Sequence, residues 1–545
     1  MTTCRALILE NFKAFKRRQD IPLSPVTLLF GPNSAGKSSI IHALALLRHA
    51  FLNHGHAEAD TVDLLYSEVR LGGWQNLVHM HDANGTFKIG LKFESDRTPH
   101  LRPSEGVELW EVVWEFGRNV ENLEAAVTSI TAQINGRSEF AGKWDSRNKL
   151  WNLVVDPHSI NVSGYLESFQ GELITCLKNA GVLFDQEQLP ILQKWLSELH
   201  DAPMQSQGFF PNVSFENVPT TLFLQHLFPS LSPDGSCYKE DRSWDVEASV
   251  LLSAFKKIQL GDNPSSEESE ALHQVYINWA LRTWHSRQPY HAAALAVESI
   301  LSHHAHLDSV RERPKYALNL RDLPDVAKYR PWRKLISEDE LRRNTSASLE
   351  VITRQPGQKT GFALGLRSRT IEVSSYESRQ SIKSTSEELA IVNPQGLYMG
   401  IEDVGYGIST ILPIITAMSC HNIGIVSIEQ PELHIHPRLQ TEIGDLFLMS
   451  CMKNHNLLLI ETHSEHLMLR ILRRIRETSA QDFSDWSPEL IDFCNTGIRP
   501  RDVAVLYVIP SDEGAEVTEL PITPDGDFSC AWPTGFFTDR DKELF

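Results

Sequence analysis

The chemistry-bearing residues of this 545-residue chain fall in a few short runs, and the first, GPNSAGKSS at 31–39, fits the spacing G-x-x-x-x-G-K-[ST]. That pattern wraps a polyphosphate. Its glycines permit torsions that turn successive backbone N–H groups inward, its lysine bridges the β- and γ-phosphates of a nucleoside triphosphate, and its hydroxyl holds Mg²⁺. Asn33, Ser34, Gly36, Lys37, Ser38 and Ser39 are therefore candidate nucleotide contacts, with Ser38 also a candidate Mg²⁺ ligand. A second run, EQPE at 429–432, closes the apolar stretch IGIVSI and sets Glu429 at a strand's carboxyl end, where it is a candidate to order Mg²⁺ through water. A third, THS at 462–464, follows LLLIE. A fourth, EDVGYGIS at 402–409, is a Gly-rich turn feeding a helix expected near Thr410, and a helix N-terminus can face a phosphate.

The elements that must position these groups can be read from periodicity. VTLLF at 26–30 predicts a buried strand, and Ile40, Ile41, Leu44 and Leu47 fall on one face of a following helix. Polar groups that follow the carboxyl ends of strands are where ligands of open α/β sheets collect, so the fold class is α/β. The chain divides into three expected parts. Residues 1–119 carry the strand patterns ALILENF, FKIGLKF and ELWEVVWEF around the phosphate loop. Residues 120–304 read as a mainly helical insertion, with helices at 189–200, 248–260 and 267–286, and are the natural place for a partner to bind. Residues 305–545 return to strand patterns (LEVITR, GFALGLRSR, RTIEVSSY, ELAIV), then to strand-helix-strand, and close with DVAVLYVIP, EVTELPI and DFSCAW. Asp525-Gly526-Asp527 matches the D-G signal of a hairpin turn.

Composition narrows the function. A net charge of -19 disfavours a surface that coats nucleic acid indiscriminately. Seven cysteines without a C-x-x-C pair point to reduced thiols and no zinc. No run of 18 apolar residues occurs, and the start MTTCRALILENF lacks a signal peptide's features, so a cytoplasmic protein with no membrane association is expected. Arg470, Arg473, Arg474 and Arg476 share one helix, as a patch for nucleic acid or an acidic partner, or as a solvated face paired with Glu465 and Glu477. His303, His304 and His306 crowd together without a carboxylate at metal-ligand spacing.

The order of these motifs resembles that of the ABC-type ATPases of the SMC, RecF and OLD-like group. It more closely resembles split-head members that read GPNSAGKSS, DVGxGxSxxLP, EQPExHxHP and ETHSE and finish with a WPxGFF tail, here WPTGFF at 532–537. Some of those are the ATPase subunits of Septu and retron-associated anti-phage systems. The resemblance covers about 1–120 and 305–545, including RERP at 311–314. It implies an ABC-type P-loop ATPase head, a mixed sheet plus helices interrupted by the helical insertion, using ATP and Mg²⁺. It also implies that Gly405, Gly407 and Ser409 form a signature turn completing the nucleotide site of a second protomer, hence a homodimer and higher oligomers. His463 would be the γ-phosphate-sensing switch, Gln75 the Q-loop glutamine, and His434 and His436 part of the D-loop at the protomer interface. Asn11, Phe12 and Phe15 match the segment near the base, with core packing an equal alternative. The implied partners are an HNH nuclease effector and, in retron versions, a reverse transcriptase with its RNA/DNA product.

One departure matters. Where hydrolytic relatives carry a catalytic glutamate after the Mg²⁺-ordering acid, this chain has Gln430, and an amide is a poor general base. Glu432 is the nearest replacement. Gln430, Glu432 and His463 are thus the candidate catalytic groups, and tight ATP binding with slow hydrolysis is expected, which suits a switch. About 80 residues follow His463, fewer than the Toprim nuclease domain of OLD-type enzymes would occupy, so no built-in nuclease is expected. The alternatives are a RecF- or SMC-like DNA-repair ATPase acting on DNA and, more remotely, a transporter's nucleotide subunit.

Overall fold

The run VTLLF forms a strand, Val26–Phe30, in which every residue is buried. It sits inside a parallel sheet whose two faces are both covered, the arrangement that favours continuous apolar strands. The computed structural model describes residues 3–52, 61–62, 71–95, 108–118, 125–145, 150–155, 218–219, 257, 289–301, 304–309, 311, 330–355, 359–374, 381–420, 424–493 and 497–533. In chain order its strands are β1 (Thr3–Glu10), β2 (Gln19–Pro22), β3 (Val26–Phe30), β4 (Thr61–Val62), β5 (Phe87–Ser95), β6 (Glu108–Arg118), β7 (Ala125–Ile134), β8 (Arg137–Asp145), β9 (Leu150–Val155), β10 (Val218–Pro219), β11 (Ala305–Leu307), β12 (Ala363–Ser374), β13 (Ser381–Val392), β14 (Tyr398–Gly400), β15 (Ile425–Glu429), β16 (Leu457–Glu461), β17 (Val503–Ile509) and β18 (Glu516–Glu519).

Among the described residues these make three sheets. The central one runs β11-β15-β16-β3-β17-β18 and is parallel except for β18. A second, antiparallel, runs β10-β9-β8-β7-β6-β5-β1-β2 with β4 on β7, and the third is β12-β13-β14. Side-chain alternation splits the central sheet into two cores. Leu29, Leu459, Leu506 and Val508 face the helix Lys37–Leu52, the helix Pro289–Leu301 and the antiparallel sheet. Val26, Leu28, Phe30, Leu458, Ile460, Val503 and Val505 face the other way, toward the helices Asp339–Thr353, Tyr406–Ser419, Pro437–Asn454 and Glu465–Ala480. The fold is α/β, with mixed sheets and helices, as its sequence pattern requires.

The described residues depart from the sequence pattern at several places. The sheet does not end near residue 119: β7, β8 and β9 extend it, and Asn135 and Gly136, with φ of 50° and 79°, form the tight turn joining β7 to β8. Both torsions are left-handed, as an Asn-Gly hairpin turn requires. The helical segments 189–200, 248–260 and 267–286 lie outside the described residues, save Lys257. LEVITR is not a strand. It ends the helix Asp339–Thr353, where Leu341, Thr345, Leu349 and Ile352 recur at spacings of four, four and three and are all buried, so a helical apolar stripe overrides the β-propensity of Val-Ile-Thr. GFALGLRSR and RTIEVSSY merge into the single strand β12, and DFSCAW contributes an isolated Ile522–Phe528 bridge. The turn at Asp525-Gly526-Asp527 is present, with the Gly526 N–H donating to the Thr523 carbonyl at 3.0 Å. Beyond it Trp532 packs edge-on against Phe30 and Tyr507, while residues 534–545, including the end of WPTGFF, lie outside the described residues.

Candidate functional site

The loop between β3 and the helix Lys37–Leu52 is shaped by two glycines that no other residue could replace without movement. Gly31 has φ +141° and a Cβ there would lie 2.5 Å from the Val508 carbonyl oxygen; Gly36 has φ +107° and a Cβ would lie 2.6 Å from Cβ of Ala14. Asn33 and Ser34 stand exposed at the loop's tip, and Ser39 is buried in the helix's first turn. Lys37 is 3 % exposed and turns back into the loop, donating to the Gly31 carbonyl at 3.1 Å and the Pro32 carbonyl at 2.9 Å. Burial lowers its pKa, against the opposing pull of Glu461 and Glu432.

Strand order decides which acid meets this loop. β16 lies between β3 and β15, so Glu461, opposite Leu29 in register, stands nearer the phosphate loop than Glu429, its register partner on the other side. Glu461 accepts the Ser38 hydroxyl at 2.7 Å and its second oxygen is 3.9 Å from Lys37 Nζ. In the sequence Glu461 stands out only as the end of the strand LLLIE. Glu429, at the end of β15 as expected, is lifted to a pKa of about 7, first by burial and then by the charges of Glu461 and Asp308. Two histidines flank it: Nε2 of His42 and Nε2 of His306 each lie 3.8 Å from Glu429 Oε1. Lys13 donates to His42 Nδ1 at 2.7 Å and is itself pushed down to about 8 by burial. His304 and His306 both contact Ser427 Oγ, at 2.9 and 3.2 Å, which places them in the packing under the site. Among the described residues no cluster of His, Cys, Asp and Glu has a separate metal-binding arrangement.

The turn after β15 is held from two sides. Gln430 has a left-handed φ of 42°; its N–H donates to the Glu461 carbonyl at 2.7 Å, tying β15 to β16 beyond the last register pair. Arg311, 6 % exposed, donates through Nη2 to the Glu429 carbonyl at 2.6 Å and the Gln430 carbonyl at 3.4 Å. The re-entry segment at 311 thereby fixes the acidic turn, a role that sequence reasoning had not given it. Glu432 accepts the Thr462 hydroxyl at 2.8 Å and the His463 N–H at 2.7 Å. Its carboxylate clamps the loop that carries His463, so its first task is positioning, and burial raises its pKa against the lowering pull of those two hydrogen bonds. His463 is lowered by burial and by the nearby Lys37 charge, which favours a neutral imidazole.

The Gly-rich turn forms the start of the helix Tyr406–Ser419, four residues earlier than Thr410, with Gly405 as its N-cap. Gly405 and Tyr406 are exposed, Gly407 is half-buried, and the Tyr406 ring stands edge-on to His434 at 4.9 Å. Ser409 is buried and its hydroxyl donates to the Tyr406 carbonyl at 2.9 Å, so Gly405, Tyr406 and Gly407 make the surface of this turn. His436 caps the helix Pro437–Asn454, accepting from Arg438 N at 3.3 Å. Gln75 is exposed in the short turn Trp74–Asn76 and its carbonyl accepts from His81 Nδ1. Phe12 and Phe15 are fully buried, and Phe12 packs on Phe87, which supports the core-packing alternative. The arginine-rich helix is neutralised. Arg470 and Arg474 pair with Asp445, Arg473 with Glu477 and Asp485, and Arg476 with Asp527.

The donor set fits the expected ligands. A cradle of glycine-enabled N–H groups with a buried lysine suits a triphosphate, and a hydroxyl beside two carboxylates suits a hard, oxygen-preferring cation such as Mg²⁺. Three stretches of the chain match known families. Residues 4–179 match the AAA ATPase domain family, residues 220–469 match the family described as AAA domain, putative AbiEii toxin, Type IV TA system, and residues 498–545 match DUF3696, a family of unknown function. No curated protein sequence matches significantly. Solved structures similar to the chain include the SMC head domain of Pyrococcus furiosus with an extended coiled coil bound to the C-terminal domain of ScpA, at 11 % identity and TM-score 0.36 over 96 % of this chain and 97 % of that one. The SMC head domain from Thermotoga maritima matches at 10 % identity and TM-score 0.34 over 95 % of this chain and 99 % of that one. Two stretches of the chain thus match AAA ATPase-domain families, and among its described residues no helix is long and apolar enough to cross a membrane.

Proposed function

We propose that this chain is a dimerising, slowly hydrolysing ATPase that uses ATP and Mg²⁺ to control a separate effector in anti-phage defence. The observation that carries this reading is the convergence of Lys37, Ser38, Glu461 and Glu429 at the carboxyl ends of three adjacent strands, on a chain that also exposes the Gly405-Tyr406 turn. In an ATP-bridged dimer, Lys37 and the loop N–H groups hold the phosphates of one nucleotide. Ser38 and the acids hold its Mg²⁺, and the partner's Gly-rich turn closes the site. Gln430 would orient water without accepting its proton, while Glu432 holds His463 in place; both features support slow turnover. The bound Mg²⁺ supplies charge neutralisation at the phosphates.

The motif order, the WPTGFF ending and the toxin-system description of one matching family support a defence role, with an HNH nuclease effector as the first candidate and a reverse transcriptase with its RNA/DNA product as a further partner. The insertion at 120–304 would serve partner binding through its part beyond β9. A DNA-repair role draws no support from the helix Glu465–Ala480, because its arginines are paired with carboxylates. Co-expression with the products of neighbouring genes tests the reading. The expected result is co-purification with a nuclease whose toxicity changes when Lys37→Ala abolishes nucleotide binding; an effector indifferent to Lys37→Ala would overturn nucleotide control.

A further inference from the structure

We propose that Glu461 is a direct carboxylate ligand of the nucleotide-bound Mg²⁺, paired with Ser38; this rests on the ATP-binding reading above and deepens it. The position is fixed three ways. Register places Glu461 beside Leu29 of the P-loop strand, the Gln430 N–H is bonded to its carbonyl, and its side chain is enclosed at 7 % exposure. Its Oε2 lies 2.7 Å from Ser38 Oγ. Two neighbouring ligands of one octahedral Mg²⁺, each about 2.1 Å from the metal, stand about 3.0 Å apart, so this oxygen pair needs to open by only about 0.3 Å to receive the ion. Glu461 Oε1 points toward Lys37, 3.9 Å away, the side from which a triphosphate's β- and γ-phosphates would approach. Glu429, the next carboxylate outward, then acts through the metal's water shell. A purely structural Glu461 would only brace the loop through Ser38 and Lys37.

The two roles separate by their dependence on Mg²⁺. A fluorescent ATP analogue is titrated onto the full-length protein in EDTA and then at fixed nucleotide with increasing Mg²⁺. Glu461→Gln keeps an acceptor oxygen for Ser38 but removes the charge. The half-saturating Mg²⁺ concentration is expected to rise about 10- to 100-fold, the range seen when a metal site's supporting groups are removed. Binding in EDTA is expected to be unchanged or tighter, because a negative charge has left the phosphates' surroundings. Equal weakening with and without Mg²⁺, or an unchanged Mg²⁺ requirement, overturns the proposal. Should Glu461→Gln fail to fold, Glu461→Asp decides, since retracting the carboxylate by one methylene must also raise the Mg²⁺ requirement. Failure of the wild-type protein to bind the analogue under any condition would instead refute the ATP-binding reading.

Discussion

Glu429 makes the nucleotide site sensitive to pH in a direction that can be worked out. Its pKa is lifted from 4.5 to about 7, and its side chain is 15 % exposed, so solvent screens it little. That lift corresponds to about 3 kcal/mol against ionisation. Since the folded value lies above the unfolded one, this opposition to folding is absent below about 4.5, grows as the group ionises and is complete above about 7. The free protein therefore loses stability at this residue as pH rises across that window. Mg²⁺ requires the ionised form, so binding the Mg²⁺–nucleotide releases a proton below pH 7 and its affinity falls there by up to tenfold per pH unit, levelling off above pH 7. Calorimetric titration of the protein with Mg²⁺ and nucleotide at pH 6 and pH 8, in buffers of different ionisation enthalpy, reads both affinity and proton release. Glu429→Gln subtracts the nucleotide's own titration: its slope is expected to be shallower by up to one log unit per pH unit. Identical slopes in the wild type and Glu429→Gln would refute the reasoning.

Two further substitutions follow from the same geometry. Gln430→Glu places a carboxylate where the turn is pinned by Arg311 and by the Glu461 carbonyl, and phosphate release is expected to rise about 10²-fold, the lower end of general-base contributions; a rate within twofold of wild type would refute the proposal that a missing base slows hydrolysis. Arg474→Ala removes a residue that is 1 % exposed and its bonds to Asp445 at 2.7 and 2.8 Å, leaving that carboxylate only Arg470 at 3.1 Å, so urea denaturation should report a loss of about 2 to 3 kcal/mol; a loss below 1 kcal/mol would show that the pair is dispensable.

Much of the head was legible because local signals agreed with one another. The P-loop, its strand and its helix were specified by glycine spacing and apolar periodicity, and Glu429 and THS fell at strand ends where the sheet places them. What sequence could not supply was strand order. Nothing in LLLIE says that β16 inserts between β3 and β15, yet that order is what brings Glu461 to Ser38. The Arg311 bond to Glu429 likewise joins residues 118 positions apart. The Asn135-Gly136 turn was readable as a hairpin signal, and the alternation in AAVTSITAQI supports it; the Pro- and Gly-bearing helical texture further along masked both. LEVITR misled because three β-prone residues outweighed a stripe that begins ten residues earlier, at Leu341.

The central claim, that ATP is held between the P-loop of one protomer and the Gly-rich turn of another, is tested most directly by sedimentation with and without Mg²⁺–ATP. Gly405 suits the test because a Cβ added there meets nothing within 4 Å and its φ of -55° is open to any residue, so Gly405→Asp alters the turn's surface without straining it. The wild type is predicted to pass from monomer to dimer on adding Mg²⁺–ATP. Gly405→Asp is predicted to bind ATP yet stay monomeric, and Lys37→Ala to do neither. A Gly405→Asp protein that dimerises with ATP as the wild type does, or a wild type whose assembly ignores ATP, would contradict the account.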